Sequence, residues 1–107
     1  MMGRILFIDT SSSKEASVTL REDRGAFCVT SDATKLKSQV LLLLIDKVLE
    51  DNEISLRDLT GIEVNLGPGS FTGLRVGVSV GNTLAFALKI PINGNKVGVL
   101  VEPLYNN

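Results

Sequence analysis

The sequence predicts a mixed α/β fold, and the order of its apolar patterns supports that class. The first third of the chain holds three short segments of apolar or alternating residues, separated by turn-forming residues. A segment with helical periodicity follows, and then a β-branched segment, a glycine-rich turn and a second helical segment. We therefore expect three antiparallel strands, a helix, a parallel strand and a second helix, in one domain that covers residues 1–107.

Four segments of the sequence have strand patterns. Arg4–Asp9 is mostly apolar and ends in a polar turn, whereas Ala16–Leu20 alternates between apolar and polar residues. Asp23–Gly25 predicts a hairpin turn, after which Ala26–Ser31 returns as the third strand of an antiparallel meander. A fourth strand is predicted at Gly61–Leu66, and right-handed crossovers place it parallel to the first strand and beside it.

The first helix is predicted to begin near the capping residues Ser31, Asp32 and Thr34 and to end at about Asp51. One stripe of this helix is apolar at helical spacing, and we expect it to face the sheet. The residues of the stripe are Val40, Leu41, Leu44, Ile45 and Val48.

Leu42 and Leu43 do not belong to that stripe, because they lie among polar residues of the same helix. Phe86, on the second helix, also has polar neighbours on its face. Singly exposed apolar residues are common, so these three positions are open to two interpretations. Either they are isolated surface residues, or they belong to a surface that contacts a partner.

The glycine-rich segment Gly67–Gly77 connects the fourth strand to the second helix, which is expected to end near Leu88. We expect Gly67 and Gly69 to turn the chain at positive φ, which glycine adopts without strain. The segment matches neither common phosphate motif, because no Lys follows its last loop glycine and its third glycine comes one residue late for the dinucleotide fingerprint.

The start of the second helix is nevertheless a candidate anion site. Its backbone N–H groups would face the sheet edge at which the first strand ends, where α/β folds place ligands. The candidate residues for phosphate or nucleotide binding are Asp9, Thr10, Gly69, Ser70 and Thr72. Two structural interpretations stay open beside this one: Asp9 as a turn-former, and Ser70 or Thr72 as the helix N-cap.

Small residues recur at every fourth position of the second helix, at Gly73, Gly77, Gly81 and Ala85. Each interior glycine costs about 1 kcal/mol relative to alanine, so this bare ridge implies close packing against a neighbour. The sheet and a partner molecule are both open as that neighbour. Gly77 and Gly81 are therefore also candidate residues of a partner interface.

The chemical inventory of the sequence is small. There is no histidine and one cysteine, Cys28, so neither a Ser-His-Asp triad nor a zinc or iron site of His and Cys is available. A two-metal nuclease needs several carboxylates at the sheet edge, and Asp9 alone is expected there. We expect no catalytic and no metal-binding residues. The enzymatic alternative is a phosphotransferase or ATPase half-domain that uses Asp9 and the glycine-rich segment.

Charge and hydropathy bear on partners and location. The net charge is −1, with Lys+Arg 11 against Asp+Glu 12, and direct nucleic-acid binders usually carry a basic excess. The longest apolar run, Val40–Ile45, is far shorter than a membrane span, and the first residues lack the apolar core of a signal peptide. We expect a cytoplasmic protein that binds neither membranes nor nucleic acid directly.

Two segments resemble the TsaB (YeaZ) family, whose members support synthesis of threonylcarbamoyladenosine in tRNA. Gly67–Gly77, which reads GPGSFTGLRVG, is similar to the family's glycine-rich segment, and Ile5–Ser11 is similar to its opening strand and Asp-Thr-Ser turn. The resemblance covers roughly Arg4–Pro91, within the N-terminal lobe of the family. It implies a ribonuclease H-like half-domain of the actin-type ATPase superfamily, with a mixed sheet and two main helices.

The resemblance also implies a function. A TsaB-like protein would be a non-catalytic subunit that binds and stabilises TsaD, the transferase that moves the threonylcarbamoyl group to adenosine. TsaE would be a further partner, and a TsaB-like protein without TsaD is expected to form a homodimer. No resident cofactor is implied, and ATP would bind only at a partner interface. A folded remnant without activity is a second alternative, beside the enzymatic one.

The sequence departs from the family pattern in two regions. Lys37-Ser38-Gln39 stands near the start of the first helix, where the family usually has His-Ser-Glu, and Leu43 replaces a common proline. A last strand is expected from about Pro91, and Asn93-Gly94 then predicts a hairpin that returns at Val97–Val101. Family members instead continue into another helix and a second lobe.

Overall fold

The computed structural model describes residues 3–34 and 36–105, which form a four-stranded mixed sheet with two main helices packed on one of its faces. The predicted element order from the first strand to the second helix is confirmed. In chain order the elements are β1 (Ile5–Asp9), β2 (Glu15–Glu22), β3 (Gly25–Asp32), α1 (Ser38–Asp51), a 3₁₀ turn (Leu56–Asp58), β4 (Gly61–Val64) and α2 (Phe71–Leu88).

The strands lie in the order β3-β2-β1-β4. β1 pairs antiparallel with β2, so that Ile8 lies opposite Val18, and β2 pairs antiparallel with β3. β4 pairs parallel with β1, which places Val64 opposite Ile8. The predicted meander and the predicted place of the fourth strand are therefore confirmed, with strand ends that differ by at most two residues.

The core lies between the sheet and the two helices. Leu6 and Ile8 of β1 are fully buried, whereas Phe7 between them points to the opposite face and is half-buried. α1 buries one stripe of residues on this core, namely Leu41, Leu44, Ile45, Val48 and Leu49. The predicted stripe is confirmed, except that Leu49 completes it and Val40 stays half-buried.

α2 lies on the sheet through its glycine ridge. A methyl group on Gly77 would overlap the hydroxyl of Thr10, and one on Gly81 would overlap the side chain of Val64. Gly77 and Gly81 are buried by the sheet, so their assignment to a partner interface is wrong and the helix-on-sheet alternative is correct. Within the described ranges α2 is also long and apolar enough to cross a membrane, a test that core helices of soluble proteins pass as well.

α1 begins at Ser38, later than the sequence predicts. The carboxylate of Asp32 accepts a hydrogen bond from Thr34 N (2.7 Å) and so closes a local turn instead of capping a helix. Lys37 occupies the N-cap position without a side-chain hydrogen bond. The predicted helix start is wrong because the Asp side chain satisfies a turn at its own position.

The segment after α2 does not form the predicted strand and hairpin. Ile92 makes a single bridge to Ile62, and Asn93 and Gly94 turn the chain with φ values of 52° and 73°. The side chain of Asn93 then binds both backbone groups of Val64, accepting from its N–H (2.8 Å) and donating to its C=O (3.1 Å). Because this side chain takes the hydrogen bonds of Val64 that a continuing strand would make, the extended segment ends at Ile92 and is too short to pair with the returning strand of a hairpin.

A second asparagine holds the end of the described chain. Asn82 of α2 donates to the carbonyl oxygen of Val101 (2.9 Å) and accepts from its N–H (3.0 Å). Leu104 N also donates to Leu66 O (2.7 Å). The residues after Asn93 therefore run back across α2, and they are held there by a side-chain amide and single hydrogen bonds instead of by strand pairing.

Candidate functional site

The carboxyl ends of β1 and β4 meet the start of α2, as the sequence predicts. Ser70 N donates to Ser11 O (2.8 Å), and Ser70 Oγ caps α2 by accepting from Gly73 N (3.2 Å). Gly67 has the predicted positive φ, at 111°, but Gly69 does not. Gly69 is required for a different reason, because any β-carbon there would overlap the backbone carbonyl of Ser11.

Asp9 holds the turn that follows β1. Its Oδ1 accepts hydrogen bonds from Ser11 N (3.0 Å), Ser11 Oγ (2.6 Å) and Asn65 Nδ2 (3.2 Å). Partial burial acts to raise the pKa of Asp9, but these hydrogen bonds outweigh it and hold that pKa below its ordinary value. These contacts agree with the interpretation of Asp9 as a turn-forming residue. The lowered pKa means that its carboxylate is ionised at neutral pH.

Thr10 is fully buried beneath α2. Its hydroxyl donates to the carbonyl oxygen of Gly73 (2.6 Å) and lies directly under Gly77. The side chain therefore joins the first strand to the first turn of α2. A nucleotide-binding residue would have to face a ligand, whereas the Thr10 side chain faces the helix.

Thr72 and Gly69 are the exposed members of the predicted anion site, and of these two Thr72 lines two cavities. One, of about 440 Å³, lies between the segment before α1 and the start of α2, and Lys37 and Ser70 also line it. The other, of about 350 Å³, lies between the two helices, where Ser38 faces Arg75. The structure thus brings Ser70 and Thr72 to one cavity and leaves Asp9 and Thr10 out of it.

The sequence analysis missed Asn65, which ties this edge together. Its Nδ2 reaches both Asp9 Oδ1 and Ser11 Oγ, and its Oδ1 accepts from Gly67 N (2.9 Å). An Asn directly after a strand and before a glycine turn was the available signal. Within residues 3–34 and 36–105, no three Cys, Asp or Glu side chains come together to hold a metal ion.

The second candidate site consists of Leu42 and Leu43 on α1 and Phe86 on α2, which we call the helix surface. Their side chains are 43%, 67% and 68% exposed, as the sequence predicts for residues outside the core stripe. Both helices start at the same sheet edge and run in the same direction. Leu43 is the sixth residue of α1 and Phe86 is the sixteenth of α2, so at a rise of about 1.5 Å per residue Phe86 lies roughly 15 Å further from the helix start than Leu43 does, and the helix surface is elongated.

Phe71, at the first position of α2, is a further exposed aromatic residue that the sequence analysis did not single out. Its ring lies 4.4 Å from that of Tyr105, and the guanidinium of Arg75 lies 5.5 Å from its centroid. Because Tyr105 and Arg75 of this chain both pack against the ring, Phe71 is not counted with the helix surface.

A meander, a parallel fourth strand and two helices on one sheet face define a ribonuclease H-like half-domain of the actin-type ATPase superfamily. A family model described as "TsaD: tRNA N6-adenosine threonylcarbamoyltransferase" matches residues 18–96. The solved structure of YeaZ from Pseudomonas aeruginosa superposes with a TM-score of 0.80 at 32% identity, over 89% of this chain and 44% of that one.

Two curated relatives carry the name "tRNA threonylcarbamoyladenosine biosynthesis protein TsaB". The protein from Buchnera aphidicola subsp. Schizaphis graminum is 36% identical over 84% of this chain and 42% of its own length. The Bacillus subtilis protein is 34% identical over 95% of this chain and 49% of its own length. The chain belongs to the family of the matched model and, within it, to the TsaB (YeaZ) group. It spans about half the length of the curated relatives it matches.

Proposed function

We propose that the chain acts in the biosynthesis of threonylcarbamoyladenosine in tRNA as a non-catalytic, TsaB-like subunit that binds and stabilises TsaD. The helix surface carries the proposal, because it exposes three large apolar side chains on the two helices that cover one face of the sheet. The names of the relatives supply the pathway, and the family model, described as TsaD, supports a partner of related fold.

The contacts at the sheet edge favour an accessory role over an enzymatic one. Asp9 accepts two hydrogen bonds from Ser11 of its own turn and one from Asn65 after β4, and Thr10 donates to the backbone of α2. Ser70 is occupied as the N-cap of that helix. A phosphotransferase would need these groups to face its substrate, whereas here they hold the end of β1 against the start of α2.

The same surface has the composition of a protein contact. Full burial of a Leu or Phe side chain contributes about 1.5–3 kcal/mol. Leu43 and Phe86 each keep about two thirds of their side-chain surface exposed, so covering both offers about 2–4 kcal/mol. Without TsaD, a second copy is the proposed occupant of the helix surface. TsaE, and ATP at an interface with a partner, complete the proposed cytoplasmic assembly, in which this chain does not contact tRNA itself.

Co-purification with TsaD from the same source tests the proposal. We expect the wild-type chain to bind TsaD and the Leu43→Asp/Phe86→Asp variant to bind it 30- to 1,000-fold more weakly, as a loss of about 2–4 kcal/mol requires. Val97→Asp/Val99→Asp is the matched control, because it places the same charges on two exposed apolar residues outside both helices. Circular dichroism should show that both variants keep the wild-type fold.

Two results of the co-purification experiment would contradict the proposal. If the Val97→Asp/Val99→Asp variant loses TsaD and the helix-surface variant retains it, the interface lies on the last described segment and the proposal is wrong. If the helix-surface variant unfolds, Leu43 and Phe86 belong to the core.

An assay of ATP hydrolysis tests the non-catalytic part of the proposal. We expect no turnover above background from the isolated chain. Turnover that disappears in Asp9→Ala would overturn this part and favour the phosphotransferase or ATPase alternative.

A further inference from the structure

Arg75 carries the one charge of α2, and its guanidinium is held in place without being neutralised. The guanidinium lies 5.5 Å from the centroid of the Phe71 ring, and the Tyr105 ring packs on Phe71 in turn. Three other arginines are in ion pairs with glutamates, whereas Arg75 has no carboxylate partner among the described residues. Because the aromatic contact already orders the side chain, less entropy is lost when its N–H groups bind an anion.

The cavity between the two helices adds neutral donors to that cation. This cavity, of about 350 Å³, is lined by Arg75 and by three residues with hydroxyl groups: Ser38 of α1, and Thr72 and Ser79 of α2. None of these hydroxyls has a hydrogen-bond partner within residues 3–34 and 36–105. Each can rotate to donate to an anion that the guanidinium attracts. The cavity therefore has the donors of a small anion site.

Arg75 also borders a cavity of about 390 Å³ on the side of the last described segment. There the Asn82 amide already binds both backbone groups of Val101, and Thr83 Oγ1 donates to Ser79 O (2.8 Å). The donors of Asn82 and Thr83 are thus used within the chain. An anion bound to Arg75 therefore finds its additional donors on the side that faces α1.

The cavity between the helices adjoins the helix surface. Leu42 and Arg75 are each the fifth residue of their helices, so each lies about 6 Å beyond the first residue. Ser38 lies one turn before Leu42 on the same face of α1. A partner that covers Leu42 also covers the mouth of the cavity and removes water from Arg75. A cation covered in this way weakens a complex unless the partner supplies the opposite charge.

The surroundings of Arg75 fit a carboxylate better than a phosphate or an RNA backbone. A guanidinium binds the two oxygens of one carboxylate through parallel hydrogen bonds, and the charges then cancel. A phosphate dianion needs a second cation, and Lys37 lines the neighbouring cavity instead of this one. An RNA backbone would also approach Asp46 and Glu50, which are exposed on α1.

We propose that the cavity between Ser38 and Arg75 is a carboxylate-binding pocket, into which the protein bound at the helix surface inserts an Asp or Glu side chain. The carboxylate accepts two hydrogen bonds from the Arg75 guanidinium and further ones from the hydroxyls of Ser38 and Thr72. The inference rests on the proposed contact with TsaD for the source of the carboxylate, whereas the pocket is formed by this chain alone.

NMR of the isolated chain, at a concentration at which it is monomeric, tests the pocket without a partner. We expect sodium acetate, compared with sodium chloride at equal ionic strength, to shift the Nε–H signal of Arg75 until it saturates. Arg57 is the internal control, because it is exposed in the 3₁₀ turn at the opposite edge of the sheet. Ser38→Ala/Thr72→Ala should weaken the acetate response at Arg75, because it removes two donors and keeps the cation.

Binding to TsaD tests the occupant. Arg75→Met keeps an unbranched side chain over Phe71 and removes the charge, so we expect TsaD to bind about 10- to 100-fold more weakly. Arg75→Lys should recover only part of this loss, because an ammonium group does not bind two oxygens in one plane. Arg57→Met is the matched control and should bind as the wild type does. Rising salt should weaken binding of the wild type more than that of Arg75→Met.

The pocket is refuted if acetate moves the Arg75 and Arg57 signals alike. It is also refuted if inorganic phosphate saturates the Arg75 signal at a lower concentration than acetate does, since the site would then bind phosphate. The partner's carboxylate is refuted if Arg75→Met binds TsaD as tightly as the wild type while Leu43→Asp/Phe86→Asp does not; the proposed function then stands. A wild-type chain that does not bind TsaD contradicts the proposed function and the occupant together, and the acetate titration still decides the pocket.

Discussion

Replacing Gly77 by alanine tests the close packing of α2 on the sheet. The added methyl group would lie well inside 3.0 Å of the hydroxyl oxygen of Thr10, in the fully buried space beneath the helix. That hydroxyl already donates to Gly73 O at 2.6 Å and cannot turn away without losing this bond. The methyl therefore has to displace either the helix or a buried hydrogen-bonded side chain.

Two effects of opposite sign decide the result. Alanine in place of an interior glycine favours the helix by about 1 kcal/mol. Overpacking of a filled core costs about 1–3 kcal/mol, and loss of the Thr10 hydrogen bond costs about 1 kcal/mol more. We expect a net loss of about 1–3 kcal/mol in the free energy of unfolding, which lowers the Tm by roughly 4–13 °C for a domain of this size.

Urea denaturation followed by circular dichroism measures this free energy. Ser79→Ala, on the exposed side of the same helix, is the matched control and should change stability by less than about 0.5 kcal/mol. Thr10→Ala combined with Gly77→Ala should cost less than the sum of the two single changes, because the first substitution removes the obstructing hydroxyl. A Gly77→Ala protein that is more stable than wild type would refute the close contact.

Three further predictions concern the sheet edge. Gly69→Val should lower the Tm, because its side chain meets the backbone carbonyl of Ser11; an unchanged Tm with lost nucleotide binding would indicate a ligand site instead. Ser70→Ala should cost about 1 kcal/mol in urea denaturation through loss of the N-cap, and Ser13→Ala, at a neighbouring exposed position, should not. The hydrogen bonds that lower the pKa of Asp9 stabilise the folded state fully above the ordinary Asp pKa of 3.8, and this stabilisation is lost as the pH falls through the folded pKa. Asp9→Asn should therefore flatten the acid side of the plot of stability against pH; identical plots for the two proteins would contradict this.

The local periodicities of the sequence predicted the fold because they depend on neighbouring residues alone. Alternation places Val18 and Leu20 on the core face of β2, and helical spacing places Leu41 and Ile45 on the core face of α1. The exposed position of Leu43 follows from the same rule. These predictions required no knowledge of distant contacts.

Predictions that depend on distant residues were less successful. The glycine ridge indicated close packing, but the neighbour of Gly77 could be identified only once β1 was seen beneath it. Thr10 was assigned to a ligand because its place in the sequence does not reveal that its hydroxyl turns toward Gly73. The turn at Asn93 was predicted correctly, whereas the hairpin failed because the Asn93 side chain binds the edge of β4.

Because the Asn93 side chain bonds to β4, deamidation of this residue would change how the following segment is attached. An Asn followed by Gly deamidates when the Gly nitrogen attacks the side-chain carbonyl, and the two hydrogen bonds to Val64 restrain Asn93 from that geometry. Once an aspartate has formed, a carboxylate oxygen stands where Nδ2 now donates to Val64 O. Attraction at β4 is replaced by repulsion between oxygens, and the chain beyond residue 93 is then held mainly through Asn82 and Leu66. In stored protein, damage at one amide would therefore loosen the last segment while the sheet and both helices stay folded.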